Sequence, residues 1–211
     1  MHRFREPVNG FTHLAGAVLS LAGLLWLIVL TRDDPVEMLT VAVYGLSMVL
    51  LYLASAALHL SNGSPRKLFW LRRVDHAAIY LIIAGTYTPL CYHLLSGGWR
   101  WGMLAVVWTL AVIGIVYKLF FLHGRSYRST IIYMLLGWGS ILALPQMAGL
   151  LSPLALWLMF GGGAVFTLGA IIFAVEKPNL HRHLGFHELW HLLVMGGCGL
   201  HFAAITLLVI G

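Results

Sequence analysis

The chain has 211 residues, of which 60% are hydrophobic and only 9% are charged. Soluble domains average about half apolar and about a quarter charged residues, so this composition excludes an ordinary soluble domain. It also excludes a disordered chain, because disordered segments lack the apolar surface that offsets the entropy of ordering. A net charge of +6 is compatible with nucleic-acid binding. The basic residues are scattered between apolar runs, however, so we expect no nucleic-acid partner.

Apolar segments long enough to cross a bilayer follow one another along the chain. Polar or proline-containing breaks separate them, and at such breaks the missing backbone donor of proline costs little. We therefore predict an all-α membrane protein with a single domain of seven transmembrane helices. The predicted spans are residues 12–30, 38–60, 75–95, 101–121, 129–149, 154–175 and 187–210.

The distribution of basic residues predicts the orientation, because cytoplasmic loops are enriched in Lys and Arg. With a cytoplasmic N-terminus and the C-terminus outside, only Arg32 and Arg100 of the thirteen basic residues fall outside. The acidic residues Asp33, Asp34 and Glu37 lie on that outer side as well. The basic residues predicted to lie inside are Arg3, Arg5, Arg66, Lys67, Arg72, Arg73, Lys118, Arg125, Arg128, Lys177 and Arg182.

Ionisable side chains converge at the predicted cytoplasmic level, where burial in hydrocarbon is costly and marks functional sites. His59 ends the second span, and Asp75 opens the third across a short basic loop. His187 and His191 open the seventh span from the same side. Their spacing of four residues places both imidazoles on one face of a helix.

These residues match the ligand set of a zinc ion, which in catalytic sites takes three protein ligands and one water. We therefore predict that His59, His187 and His191 bind zinc. Asp75 is predicted to hold the water as a catalytic residue, and Ser55, one helical turn before His59, to support the site.

Simpler roles for two of these residues stay open at this stage. Asp75, as a carboxylate in the first turn of the third helix, would interact favourably with the helix dipole. It would also pair with Arg72 or Arg73. Ser55 would serve as a small residue at a helix contact, as is common in membranes.

The segment from His187 to His191 also matches H-E-x-x-H, in which two histidines bind zinc and the glutamate is the general base of a metalloprotease. An intramembrane protease of this kind needs a further acidic ligand, and no acidic residue follows Glu188. The motif is therefore weak support for a protease.

Taken together, the residues resemble the hemolysin III family of bacterial membrane proteins, within the wider superfamily of the adiponectin and progestin receptors. The resemblance extends over nearly the whole chain. It rests on Glu6, Asn9, Thr12, His13 and Gly16, on Ser55-Ala-Ala-Leu-His59, on Asp75-His-Ala-Ala-Ile-Tyr80, on Gly85-Thr-Tyr-Thr-Pro89, on Gly137-Trp138 and on His187-Glu-Leu-Trp-His191.

The resemblance implies a seven-helix fold with the N-terminus inside and a zinc ion near the cytoplasmic face. It implies that His59, His187 and His191 are the zinc ligands. By the same resemblance Asp75 binds or activates the zinc water and Ser55 supports the site. Glu188 has no catalytic role in this pattern.

We accordingly predict an integral protein of the bacterial plasma membrane whose partners are membrane lipids. The leading hypothesis is a zinc-dependent hydrolase of a ceramide-like amide or another acyl lipid, acting in membrane homeostasis. One alternative is a non-enzymatic protein in which structural zinc joins helices, and which modulates the bilayer or acts as a cytolysin or pore former. The other alternative is the intramembrane metalloprotease.

Overall fold

The computed structural model describes residues 4–121, 127–147, 149–181 and 184–211. Within these residues the chain is almost entirely helical and forms no strand, which confirms the predicted all-α class. Seven helical segments are long and apolar enough to cross a membrane. The helices are α1 (Pro7–Leu30), α2 (Pro35–Leu60), α3 (Pro65–Leu94), α4 (Gly97–Phe120), α5 (Tyr127–Trp138), α6 (Leu144–Met147), α7 (Pro153–Val175) and α8 (Phe186–Ile210).

The fifth span is not a single α-helix. It begins in α5, passes through a 3-10 segment at Gly139–Ala143 and ends in α6. The other six spans are uninterrupted helices.

Several helices begin at a proline, because its fixed φ suits the first helical position and its missing N–H is not needed there. Pro35, Pro65 and Pro153 each follow a residue that caps the new helix. Asp34 accepts hydrogen bonds from two backbone amides of the first turn of α2. Ser64 and Ser152 cap α3 and α7 in the same way. The prolines in three of the predicted breaks are therefore the first residues of new helices.

The third helix begins at Pro65, ten residues before the predicted span boundary. Ser64 and Pro65 initiate this helix. Its first turns carry Arg66 and Lys67, and the low hydropathy of these residues places them outside a span predicted from hydropathy. The basic segment before Asp75 is therefore helix rather than loop. The helix dipole acts mainly within the first turn of a helix. Asp75 lies well beyond the first turn of α3, so the dipole explanation for Asp75 is wrong.

The helices form a ring around an internal cavity. Neighbouring helices α1, α2 and α3 pack in sequence, and α8 lies between α1 and α7. The ring closes through α5, which contacts both α3 and α7, whereas α4 packs against α3.

Arg73 joins α3 to the end of α4. Its guanidinium donates hydrogen bonds to the backbone oxygens of Leu119 at 2.5 Å and Phe120 at 3.5 Å, and it stacks over Phe69. A cation at the carbonyl end of a helix satisfies unpaired acceptors and complements the helix dipole. The end of α4 is thereby held beside the start of α3. Among the basic residues used for orientation, Arg3, Arg125 and Arg182 lie outside the described residues.

Gly114 permits the close approach of α4 to α3. A Cβ at this position would fall within the van der Waals surface of the buried Tyr80 ring. We expect Gly114→Ala to lower the stability by about 1–3 kcal/mol, since the overpacked ring has to move. The thermal unfolding midpoint in detergent measures this effect. Gly102→Ala is the matched control, because nothing lies within 4 Å of a Cβ there and alanine favours the helix. Equal midpoints for the two variants would contradict the packing argument.

Candidate metal site

Three histidines from two helices converge at one end of the bundle. His59 lies in the last turn of α2, and His187 and His191 lie in the first two turns of α8. One ring nitrogen from each lies within 4.8 Å of the other two. The centroid of the His59 ring lies 5.0 Å from that of His187 and 4.7 Å from that of His191. The structure thus brings together the three histidines that the sequence indicated as ligands.

The surroundings of His191 fit a bound metal ion. Its Nδ1 is buried without a hydrogen-bond partner among the described residues. A buried polar atom left unpaired costs about 1–3 kcal/mol, which a metal bond would remove. Three imidazole nitrogens are a donor set that suits zinc and several other divalent transition metals.

Asp75 and Ser55 lie beside the histidine cluster. The buried Ser55 hydroxyl hydrogen bonds to the Asp75 carboxylate, which also interacts electrostatically with His59 and with Arg72. The sequence left open an ion pair with Arg72 or Arg73, but no ion pair among the described residues includes Asp75, and only a longer-range electrostatic interaction with Arg72 is present. This arrangement leaves a carboxylate, oriented by a hydroxyl, next to the candidate metal ligands.

Glu6 belongs to the site as well, a role that the sequence did not indicate. It precedes α1, and its Oε2 lies 2.5 Å from Nδ1 of His59. Its backbone amide also donates to the His59 carbonyl at 3.0 Å. The hydrogen bond with His59 lowers the pKa of Glu6 to about 2, so its carboxylate is ionised and accepts the Nδ1 proton. Such a carboxylate orients a metal-binding histidine so that its other nitrogen faces the metal.

A sequence signal for Glu6 existed, because it is among the residues that carry the family resemblance and no other acidic residue precedes Asp33. Its partner, however, is 53 positions away. Periodicity relates residues within one helix, so the pairing became visible only in the folded chain.

We expect Glu6→Gln to weaken metal binding by about tenfold to a hundredfold, because the amide is a poorer acceptor for the Nδ1 proton of His59. Titration of the metal-loaded protein with a competing chelator measures this change. Glu37→Gln is the control, since Glu37 contacts His93 at 3.2 Å at the start of α2, away from the cluster. Equal affinities for Glu6→Gln and the wild type would show that Glu6 does not tune the site.

Two residues of α1 attach this helix to α8. The His13 ring stacks on His191 with centroids 3.8 Å apart. The Asn9 amide donates to Oε1 of Glu188 at 3.0 Å, and the other oxygen of Glu188 accepts from the backbone of Gly185 at 2.9 Å. Both oxygens of Glu188 are therefore engaged in capping α8 and holding α1. This engagement argues against a role for Glu188 as a protease base.

A cavity of about 530 Å³ extends from the cluster into the bundle. His59, Asp75 and His187 line one end, and Leu151 and Leu156 line it near the start of α7, at the opposite end of the bundle. Most of the wall between them is apolar and comes from α3, α5, α7 and α8. The volume is within the range of small-molecule binding pockets. An apolar chain in this cavity would have one end beside Asp75 and the histidines.

The fold and site define a class: an integral membrane protein of seven helices with a candidate metal centre at one end of an internal cavity. A family profile described as "Haemolysin-III related" matches residues 1–202. The chain therefore belongs to the haemolysin III family, as the sequence motifs indicated.

Curated relatives agree with this assignment. Hemolysin-3 of Bacillus cereus is 39% identical over 208 residues, covering 97% of this chain and 92% of the relative. A Hemolysin-3 homolog of Bacillus subtilis is 35% identical, covering 95% and 92% respectively. The human monocyte to macrophage differentiation factor is 27% identical, covering 96% of this chain and 83% of the relative. The similarity to each relative extends over most of both chains.

Proposed function

We propose that this protein is a zinc-dependent hydrolase of acyl lipids. The observation that carries the proposal is the hydrogen-bonded pair of Ser55 and Asp75 beside three converging histidines, at one end of an apolar cavity. A carboxylate next to a three-histidine site is the arrangement used for metal-assisted hydrolysis. The apolar cavity between membrane helices favours a lipid as the substrate.

His59, His187 and His191 would hold the zinc ion. When bound, zinc would supply Lewis acidity, which polarises a carbonyl and makes water a stronger nucleophile. Asp75 would accept a proton from the attacking water as its oxygen bonds to the acyl carbon. Asp75 would then return the proton to the leaving nitrogen or oxygen as the acyl bond breaks, giving a fatty acid and an amine or alcohol. The Ser55 hydroxyl would hold the Asp75 carboxylate in place.

The proposed substrate class is a ceramide-like amide or another acyl lipid. The acyl chain would lie in the cavity against apolar side chains such as those of Ile83, Met134 and Leu156. Its carbonyl would then lie beside Asp75. Burial of the chain would position the carbonyl, since proximity of reacting groups supplies a large part of enzymatic rate enhancement.

A structural metal is the second candidate, favoured by the burial of His59 and His191, which are only 3% and 2% exposed. Such an ion would join α2 to α8, and the protein would act on the bilayer without turnover. A lytic pore fits less well, because the polar groups described above gather at one end and the cavity wall beyond them is mostly apolar. A pore requires polar groups along the whole path.

We further propose that the N-terminus and the metal site face the cytoplasm of a bacterial cell. The basic residues Arg66, Lys67 and Arg72 lie at the end of the bundle that holds the site, whereas Asp33 and Asp34 lie at the other. A C-terminal alkaline phosphatase fusion is expected to be active, because this enzyme folds only outside the cytoplasm. An active phosphatase fused instead after Ser61, which follows α2, would reverse the proposed orientation.

Comparison of the lipids of cells with and without the protein, followed by assay of the purified protein, tests the proposed function. Metal-loaded wild type is expected to release fatty acid from an N-acyl or O-acyl lipid dispersed in detergent. Absence of release from both lipid classes, with metal bound, would reject the hydrolase and leave the structural ion as the explanation of the site.

A further inference from the structure

Lys118 is a buried cation that the proposed chemistry does not use. It lies in the last turn of α4, on the same buried face as Val107, Ala111 and Gly114, and is only 1% exposed. Lysine is almost never fully buried without a partner. The side chain nevertheless lines the cavity that begins at the histidine cluster.

No carboxylate neutralises Lys118. All seven acidic residues of the chain lie in the described ranges, and no ion pair among those residues includes Lys118. Asp75, which lines the same cavity, interacts with Ser55, His59 and Arg72 instead. The amine lies 5.3 Å from the centroid of the Tyr133 ring. A cation–π contact is worth less than the cost of burying an ammonium group, so the position favours an anionic ligand.

Lys118 lies at the same end of the bundle as the candidate metal site. Arg73 holds the adjacent Leu119 beside α3, two residues before Asp75. The Tyr133 hydroxyl, on the ring that faces the Lys118 amine, donates to the backbone oxygen of His76 at 2.9 Å. Arg72 lines the cavity at this end as well. The carboxylates of Glu6, Asp75 and Glu176 also line the cavity, but no ion pair among the described residues joins any of them to Lys118.

We propose that Lys118 binds the phosphate of an acyl lipid whose hydrocarbon chain fills the cavity. Ammonium groups bind phosphate well as point charges, and an apolar wall next to the charge selects an anion with an attached chain. This inference deepens the proposed function by naming an anionic, phosphate-bearing lipid as its substrate class. Lipid binding does not require hydrolysis, so the two proposals can fail separately.

The test compares two lipids with the same single acyl chain, lysophosphatidic acid and monoacylglycerol, added to the purified metal-loaded protein in a neutral detergent. The rise of the thermal unfolding midpoint with lipid concentration gives an apparent Kd for each. Wild type is expected to bind the phosphate-bearing lipid at least about tenfold more tightly, as befits one charge-assisted contact. Lys118→Met is expected to lose this preference, and Lys118→Arg to keep most of it.

Arg32→Met is the matched control, because Arg32 is a cation whose side chain is 73% exposed in the loop between α1 and α2. It is expected to retain the preference of the wild type. A preference that survives in Lys118→Met, or that disappears equally in Arg32→Met, would overturn the proposal. A wild-type protein that prefers the phosphate-bearing lipid but releases no fatty acid would instead reject the hydrolase alone.

A measurement on the wild type covers the case in which Lys118→Met does not fold. Lysophosphatidic acid is expected to protect Lys118 from acetylation by an amine-reactive reagent, read by peptide mass spectrometry, whereas monoacylglycerol is not. Equal modification in the two lipids would overturn the proposal. Equal protection by inorganic phosphate at the same concentration would assign the site to free phosphate and overturn the lipid assignment.

Discussion

Elemental analysis of the purified wild-type protein is expected to find about one zinc ion per chain, and His59→Ala or His191→Ala is expected to remove it. Each substitution leaves two imidazoles, fewer than zinc takes from proteins in either structural or catalytic sites. The loss should exceed the roughly tenfold to hundredfold weakening that follows removal of a supporting group such as Glu6. Metal content after dialysis against a weak chelator measures the effect.

His93→Ala is the matched control for the metal measurement. His93 lies in the last turn of α3 and contacts Glu37 at the opposite end of the bundle. It is expected to retain the full metal content of the wild type. A wild-type protein that holds no metal after purification in metal-containing buffer would reject both the catalytic and the structural version of the site. A different divalent metal in full occupancy would keep the ligand set and replace only the identity of the ion.

The second large effect is expected for Asp75→Asn, which should retain metal and lower lipid hydrolysis by about a hundredfold to ten-thousandfold. Asparagine has nearly the shape of aspartate and can still accept the hydrogen bond of Ser55, but it cannot take a proton from water. Single-turnover release of fatty acid, with metal content measured on the same sample, separates the two roles. Ser55→Ala is expected to have a smaller effect, because it changes only the orientation of the carboxylate.

Asp33→Asn is the control for the loss of a carboxylate, since the Asp33 side chain is 92% exposed at the far end of the bundle. It is expected to match the wild type in both turnover and metal content. Loss of metal in Asp75→Asn would make Asp75 a ligand. Unchanged turnover in Asp75→Asn would mean that another group accepts the proton.

Much of the fold could be predicted because a membrane helix is recognisable from its own residues. The length and apolarity of each segment indicated the seven spans. The helix α3 begins before the predicted boundary, because its first turns are charged and hydropathy does not register the cap formed by Ser64 and Pro65. Helix initiation depends on local hydrogen bonds, which a hydropathy window averages away.

The main residues of the candidate site were also predictable, for a related reason. Two histidines four residues apart share a helix face whatever the rest of the chain does. Once the spans are ordered, alternation across the membrane brings His59 and Asp75 to the level of His187 and His191. In the structure the three histidines lie close together, and Ser55 and Asp75 pair beside them.

By itself the sequence determined the number of spans and the level at which the polar residues meet, because both depend on local hydropathy and on the alternation of helix direction. Only the tertiary structure decided that Glu6 contacts His59, that Asn9 binds Glu188 and that Lys118 is buried. These contacts depend on how helices rotate and approach one another. That packing is the joint result of many side chains, so no single segment encodes it.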